Sequence, residues 1–192
     1  MNDEKPTIRL ESEKHLRIFT LPLRQRILRT MRIIGKPVTT KQLADMLGIA
    51  PSSARHHIMK LKEIGLVEHD HYQTINGIKA DYLIAADVNV SIGTDISDAH
   101  TAERESASQV MLFEIADRFL STLSSRREKA AASPGQFFGD LLGGIAHLST
   151  EDAEKLYLMI RDFLDSHALP KNSDDHPWEY AMLLYEIEPS EL

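Results

Sequence analysis

The stretch that decides the fold lies at residues 39–66 and reads TTKQLADMLGIAPSSARHHIMKLKEIGL. In its first half, Leu43, Ala44 and Leu47 recur at i, i+1 and i+4, a spacing that forms one buried face of a short helix. Gly48 follows directly, at the position where a helix commonly ends in the left-handed conformation. The pattern therefore predicts a short helix that ends at Gly48.

The second half of the same stretch predicts another helix. Pro51 suits its first turn, because the first N–H groups of a helix have no partner within it. Ala54, Ile58 and Leu61 recur at helical spacing and form the apolar face. Two short helices joined by a tight turn, the second with small polar and basic residues, are typical of a helix-turn-helix. We call the second helix the recognition helix, since in this motif it enters the major groove of DNA.

The outward side chains of this stretch are candidates to contact DNA. Arg55 suits two parallel hydrogen bonds to guanine, the commonest specific base contact. Ser52 and Ser53 are short, so they let the helix approach closely and can bond to bases or phosphates. Either Thr39 or Thr40 is expected to cap the first helix. The predicted DNA-contacting residues here are Thr39, Thr40, Pro51, Ser52, Ser53, Arg55, His56 and Lys60.

Two segments carry a resemblance to a known family. They read LPLRQRILRTM at residues 21–31 and PVTTKQLADMLGIAPSSARHHIMKLKEIGLVE at residues 37–68. Together they resemble the ArsR-type winged helix-turn-helix repressors of bacteria. The resemblance covers about residues 15–90 and implies a winged helix-turn-helix that binds DNA. The positions in register are Leu43, Ala44, Leu47, Gly48, His57, Leu61, Gly65, Leu66 and Val67.

A hairpin follows the recognition helix. Asn76-Gly77 is the strongest two-residue hairpin signal, and strands are predicted on either side of it at residues 67–75 and 78–85. In the resembled family this hairpin is the wing, whose tip lies near a phosphate or in the minor groove. The tip residues predicted to contact DNA are Thr74, Asn76 and Lys79.

The charges divide the chain into two parts. Residues 1–90 contain 14 Lys and Arg against 10 Asp and Glu, a balance of +4, whereas residues 91–192 contain 8 against 19, a balance of −11. A basic part can approach phosphate, and an acidic part is kept away from it. We therefore predict a winged helix-turn-helix DNA-binding domain at 1–90 and a helical dimerisation or effector-binding region at 91–192.

A long amphipathic helix is predicted in the acidic part, over residues 101–129, with a break at residues 133–135. Its apolar stripe is open to two interpretations. Two copies could bury each other's stripes across a two-fold axis, or the stripe could pack inside one chain against Leu156 and Phe163. The stripe, which is the predicted dimerisation surface, consists of Leu112, Ile115, Ala116, Phe119, Leu120 and Leu123.

Four weaker patterns complete the organisation of the chain. Residues 1–14 are predicted to form a frayed or loosely docked arm. Residues 136–147 are apolar but interrupted by glycine, so a short buried helix or irregular turns are expected. Residues 149–152 form a capping box that opens another helix. Residues 178–187 are predicted to form a final strand, although a helix fits the sequence pattern nearly as well.

The aromatic residues of the acidic part have two interpretations. Aromatic side chains on amphipathic helices usually form a core, and we favour that account. The other account is a pocket for an apolar small-molecule effector. The residues concerned are Phe113, Phe119, Phe137, Phe138, Tyr157, Phe163 and Trp178.

Histidines raise the question of a metal site, because the resembled family includes metal sensors. Asp98-x-His100 matches only the first half of their helix-borne motif. His69 and His71 share one face of a predicted strand, yet wing residues are usually exposed without a ligand. We predict no metal site.

The composition excludes other classes of protein. The chain has no cysteine, so it has no disulfide and no thiolate site. Without a Gly-rich phosphate loop, HExxH or GxSxG motif, we predict no enzyme activity and no cofactor. The start, MNDEKPTIRLESEK, is too charged for a signal peptide, and no run of about 18 apolar residues could span a membrane. We expect a cytoplasmic protein.

These features predict a mainly helical protein with a small β wing. The predicted function is a sequence-specific DNA-binding transcriptional regulator, a bacterial repressor that acts as a homodimer on a palindromic operator. A palindromic operator requires a protein with two-fold symmetry. The predicted partners are double-stranded DNA and a second copy of the chain. The sequence leaves open whether a small-molecule effector also binds. The alternative is a winged helix used for protein contact, in which the acidic part binds a basic partner.

Overall fold

The computed structural model describes residues 5–94, 96–132 and 137–187. It is mainly helical with a small β wing, which confirms the predicted fold class. The helices are α1 (Glu13–Phe19), α2 (Pro22–Ile34), α3 (Thr40–Leu47), α4 (Pro51–Glu63), α5 (Thr101–Ala132) and α6 (Thr150–Asp165). The strands are β1 (Thr7–Arg9), β2 (Val38–Thr39), β3 (Val67–Ile75), β4 (Ile78–Ala85) and β5 (Asn89–Ser91).

Contacts within the chain divide it into two compact units. The first, which we call the head, contains Met1–Ser108 and Asp165–Pro177. The second, which we call the body, contains Gln109–Leu164 and Trp178–Leu192. The sequence suggests a boundary at residue 90 between a DNA-binding domain and a dimerisation or effector region, and that division of function stays a prediction.

The helix-turn-helix forms at the predicted residues, and its ends have local causes. The Thr39 hydroxyl accepts a hydrogen bond from the Gln42 N–H at 3.2 Å, and the Gln42 side chain accepts one from the Thr39 N–H at 2.8 Å. This reciprocal pair satisfies two amides at the start of α3. Gly48 ends α3 with a φ of 66°, and Pro51 is the first residue of α4.

The wing also forms as predicted. β3 and β4 run antiparallel over the expected residues, and β2 pairs with the other side of β4. The turn residues Asn76 and Gly77 have φ angles of 50° and 79°. A tight two-residue hairpin turn needs positive φ at both positions, and Asn and Gly adopt it at the lowest cost.

The head has a core of its own. Burying one Leu or Ile side chain stabilises a fold by about 1.5–3 kcal/mol. The core combines the inner faces of α1 to α4 with residues from the strands and from the loops beside them. Its members are Leu10, Leu16, Ile18, Phe19, Ile27, Leu28, Met31, Val38, Leu43, Ala44, Ala54, Ile58, Leu61, Ile64, Leu66, Val67 and Leu83.

The N-terminal segment belongs to this core, so the prediction of a loosely docked arm is wrong for the described part of residues 1–14. β1 pairs in parallel with β5, and the Leu10 N–H donates to the Ser91 carbonyl at 2.9 Å. The Leu10 side chain is fully buried, and Ser12 caps α1, a helix that the sequence reading missed. A short strand whose partner lies far along the chain leaves no local periodicity to detect.

Arg104, near the start of α5, is fully buried in the head, with 1% of its surface exposed. Its guanidinium donates to the Asp98 carboxylate at 2.5 and 3.1 Å and to the Glu11 carbonyl at 3.2 Å. The hydrogen bonds from Arg104, and then one from the His100 N–H, lower the pKa of Asp98. Asp98 is therefore occupied in joining α5 to the N-terminal segment.

The body follows the predictions in its helices but not between them. α6 begins as predicted, with the Ser149 hydroxyl accepting from the Asp152 N–H at 3.1 Å. Residues 137–149 contain neither helix nor strand, so irregular chain is the form that occurs there. Gly139, Gly143 and Gly144 explain why no helix forms, because each glycine disfavours a helix by about 1 kcal/mol.

The prediction of a strand at the end of the chain is wrong. Residues 178–187 form neither a strand nor a helix. A strand needs a neighbour to satisfy its backbone, and the body contains no strand among its described residues. The break predicted at residues 133–135 lies outside the described residues. Within the described ranges, no helix combines the length and apolar composition that crossing a bilayer requires.

No side chain that the structure describes in the body is buried. In the apolar stripe of α5, Leu112, Ile115, Phe119 and Leu123 are half-buried, while Ala116 and Leu120 are exposed. The interpretation in which the stripe joins the core of a single chain is therefore not supported. The aromatic residues form no such core either: Phe119 and Phe138 are half-buried, and exposed are Phe113, Phe137, Tyr157, Phe163 and Trp178.

The buried Leu10 provides a test of how the N-terminal segment is docked. We expect Leu10→Ala to lower the free energy of unfolding by about 2–5 kcal/mol, because it leaves a cavity in the core. Urea denaturation measures this loss. Thr7→Ala, at an exposed position of β1, is the control and should change the unfolding free energy by less than about 0.5 kcal/mol. Equal effects of the two changes would contradict the docked segment.

Candidate nucleic-acid interface

The recognition helix α4 presents a polar face to solvent along its N-terminal half. Pro51, Ser52, Arg55 and His56 are exposed, and Ser53 is half-buried. Among the described residues no carboxylate pairs with Arg55, so its guanidinium is available for two parallel hydrogen bonds to guanine. The opposite side of the helix is buried in the core, and this burial determines which residues face outward.

Two exposed methionines extend the candidate interface and were missed by the sequence reading. Met59 in α4 is 56% exposed, and Met46 in α3 is 61% exposed. Met59 lies one turn beyond Arg55 and next to the buried Ile58, so its helical position was the signal that could have identified it. An apolar side chain at this place can contact the thymine methyl group in the major groove.

His57 belongs to the inside of the head. It is half-buried, and its ring lies edge-on to that of His56 with the centroids 5.2 Å apart. Burial lowers the pKa of His57 from 6.5, and the nearby charges of Arg24 and His56 lower it further. His57 is therefore neutral at pH 7 and contributes no charge toward a phosphate.

Lys60 is held by a carboxylate at the end of the recognition helix. Its Nζ lies 2.8 Å from Glu63 Oε2, and Lys14 of α1 binds the other oxygen of the same carboxylate. The hydrogen bonds from Lys14 and then from Lys60 lower the pKa of Glu63 from 4.5 to about 2. Glu63 is therefore charged at neutral pH and competes with phosphate for both lysines.

A shallow groove of about 310 Å³ opens beside these lysines. The Arg24 guanidinium donates to the carbonyls of Arg17 and Ile18, at 3.2 Å each, and so satisfies the end of α1. Four cations and one carboxylate line the groove, but Glu63 binds two of these cations and Glu13 binds a third, so attraction of a phosphate here depends on breaking those ion pairs. Its lining consists of Glu13, Lys14, Arg17, Ile18, Arg24 and Lys60.

The threonines at the start of α3 are less accessible to DNA than the residues at the tip of the wing. Thr39 and Thr40 are half-buried, and the Thr39 hydroxyl is already used to cap α3. Thr74, Asn76 and Lys79 are all exposed at the tip of the wing. The Lys79 ammonium lies 3.7 Å from the centre of the Tyr72 ring, a cation–π contact that orients it.

A β-bulge separates the two histidines of the wing, so the expectation that they share a face is wrong. His69 pairs with Leu83, and His71 pairs with Tyr82, the adjacent residue of β4. Adjacent strand residues point to opposite faces, so the two imidazoles point apart. In the described part of the chain, no three His, Asp or Glu side chains come together as a metal site requires.

A comparison with protein families agrees with this geometry. A family model described as a helix-turn-helix domain matches residues 20–70, from the loop before α2 into β3. The matched residues are therefore similar in sequence to a helix-turn-helix domain, a motif that typically binds DNA. A helix-turn-helix domain points to a DNA-binding transcriptional regulator rather than an enzyme. No curated protein sequence matches the chain significantly.

The ion pairs of Glu63 with Lys14 and Lys60 give a test of the interface. We expect Glu63→Gln to tighten binding to random-sequence duplex DNA and to steepen its salt dependence. The reason is that Lys14 and Lys60 become free to neutralise phosphates. Each neutralised phosphate makes the slope of log K against log salt more negative by roughly 0.9. Fluorescence anisotropy titrations at several salt concentrations measure both changes.

The control is Glu154→Gln, which removes one exposed charge from α6 and should leave the slope unchanged. A Glu63→Gln protein with the wild-type slope would contradict the competition between Glu63 and phosphate.

Proposed function

We propose that this chain is a sequence-specific transcriptional repressor of the ArsR type that binds a palindromic operator as a homodimer. The observation that carries the proposal is the exposed Arg55, without a carboxylate partner among the described residues, in the N-terminal half of the recognition helix. In a helix-turn-helix this half of the helix faces the base edges. The ArsR resemblance of residues 15–90 supports the assignment as a repressor.

The contacts of the proposed complex divide by chemistry. Arg55 bonds to a guanine in the major groove, with Ser52 and His56 beside it. Lys79 neutralises a phosphate, a contact that positions the protein without reading sequence, whereas Glu63 holds Lys60 back from phosphate. The wing tip lies across the backbone from the recognition helix. Specificity then comes from α4, and the salt-dependent affinity comes from cations that Glu63 does not hold, Lys79 among them.

The exposed apolar side chains of the body support the homodimer. Leu120 is 60% exposed and Phe113 is 80% exposed. Apolar surface in water is unfavourable by about 25 cal/mol for each Å², so a second copy that covers this surface lowers the free energy. Two α5 helices that meet across a two-fold axis would bury each other's stripes and hold two heads for two half-sites.

The proposal is tested by DNA binding as a function of salt, followed by selection. A steep fall in affinity for random duplex DNA with rising salt is expected, because phosphate contacts release counterions. Selecting bound sequences from a random duplex pool should then return an inverted repeat. A flat salt dependence together with no recovered motif would reject DNA binding and favour a role of the winged helix in protein contact.

Arg55 is expected to read one base pair. Arg55→Ala should weaken operator binding by about 1–3 kcal/mol and relax the preference at one position of each half-site. Lys79→Ala is the control for a phosphate contact, and it should weaken binding to all sequences alike. Titration of the selected operator and of single-base variants of it separates the two. An equal loss on every sequence in Arg55→Ala would make Arg55 a phosphate contact instead.

Phe119 is expected to lie in the dimer interface. Truncating a buried aromatic residue costs about 3–5 kcal/mol, and a two-fold interface counts each site twice. Phe119→Asp should therefore give a folded monomer that binds random DNA weakly and the operator much less tightly than wild type. Ser121→Asp, on the exposed opposite side of α5, adds the same charge and should leave the dimer intact. Sedimentation and circular dichroism distinguish a monomer from an unfolded chain, and an intact dimer in Phe119→Asp would refute the assignment.

A further inference from the structure

The tip of the wing carries a pair of exposed isoleucines. Ile75 and Ile78 pair across the Asn76–Gly77 turn, so their side chains lie on the same face of the hairpin. Ile78 is 73% exposed and Ile75 is 44% exposed. A cross-strand pair of this type stabilises a hairpin only by the surface that it buries, and here most of the Ile78 side chain remains in water.

The two faces of the tip differ in chemistry. The face opposite to the isoleucines carries the Thr74–Lys79 pair, with the Lys79 ammonium over Tyr72. From Gln73 to Ala80 the sequence contains no acidic residue, although the whole chain has a net charge of −7. A surface without carboxylates and with one lysine can approach a polyanion without repulsion. The tip therefore combines an apolar face with electrostatic access to DNA.

We propose that Ile75 and Ile78 enter the minor groove next to the half-site and select A·T over G·C pairs there. The proposal rests on the DNA-binding function proposed above and adds a second element of specificity to it. In this proposal the selection arises because apolar side chains displace water from the base edges without offering a hydrogen-bond partner. Neither side chain can donate or accept a hydrogen bond, so neither reads a base by polar contact.

The chemistry of the minor groove explains the direction of the selection. A·T and T·A pairs present only acceptors there, whereas a G·C pair adds the amino group at N2 of guanine. An isoleucine placed over that amino group removes its water and offers no acceptor, which is unfavourable. Over an A·T pair no donor is left unpaired.

The dimensions of the wing agree with this placement. β3 has nine residues and β4 eight, and a strand of that length extends roughly 30 Å. This is long enough for the tip of the wing to reach across one backbone when the recognition helix lies in the major groove. The minor groove is about 6 Å wide, so the isoleucine side chains fit where a whole hairpin would not. Lys79, on the other face, then lies toward a phosphate of the groove wall.

The test uses the full chain and duplexes that contain the selected half-sites. The base pairs at the wing position are made A·T, G·C or inosine·cytosine. Inosine lacks the N2 amino group, so an inosine·cytosine pair resembles A·T in the minor groove and G·C in the major groove. We expect the wild-type protein to bind the G·C duplex roughly fivefold or more weakly than the A·T duplex, and the inosine·cytosine duplex as tightly as the A·T duplex.

The matching variant is the double change Ile75→Thr and Ile78→Thr. Threonine keeps the β-branched shape and strand preference of isoleucine, and its hydroxyl can accept a hydrogen bond from the guanine amino group. This variant should bind the A·T and G·C duplexes within about twofold of each other and keep the wild-type salt slope. Ile33→Thr, at an exposed position of α2, is the control and should keep the full discrimination.

The outcomes separate this inference from the proposed function. If inosine·cytosine behaves as G·C, the discrimination arises in the major groove and the inference is overturned. It is overturned equally if the double variant discriminates as the wild type does, or if selection returns half-sites without an A·T preference beside them. In all three cases a steep salt dependence and a recovered inverted repeat would leave the DNA-binding function standing. A flat salt dependence and no recovered motif would remove both.

Discussion

Burial of the apolar face of α4 is the constraint on which the candidate interface depends. Ala54, Ile58 and Leu61 are almost completely excluded from water. At about 1.5–3 kcal/mol for each large side chain, this burial sets the rotation of the helix about its axis. The rotation in turn brings Arg55 and His56 to the surface. The residues that face outward are thus determined by the residues on the other side of the same helix.

Electrostatics at the two ends of the interface work in opposite directions. Near the start of α4 the cationic Arg55 has no carboxylate partner within the described part of the chain. Near its end, Glu63 binds Lys14 and Lys60, whose hydrogen bonds lower the pKa of its carboxyl group to about 2, so Glu63 is charged at neutral pH. Specific base contact and general attraction to phosphate are therefore assigned to different parts of one helix. Removing Glu63 would strengthen general attraction at the expense of selectivity.

The head buries a hydrophobic core within one chain, whereas the described part of the body does not. The head buries a core and uses Arg104 to join α5 to the N-terminal segment. The body leaves large apolar side chains in water, including Leu142 at 95% exposure. An unburied apolar surface of this extent typically marks an interaction site. The homodimer proposed above assigns that site to a second copy of the chain.

The sequence by itself determined the helix-turn-helix, the wing and the start of α6, because each is specified by local signals. Periodicity defines a helical face, Asn76–Gly77 defines a turn, and the Ser149 hydroxyl caps a helix within three residues. Only the tertiary structure decided the pairing of β1 with β5 and the burial of Arg104. These features join residues far apart along the chain, and no local pattern records such contacts. The availability of a predicted side chain, as for Lys60, was likewise decided by a neighbour from another helix.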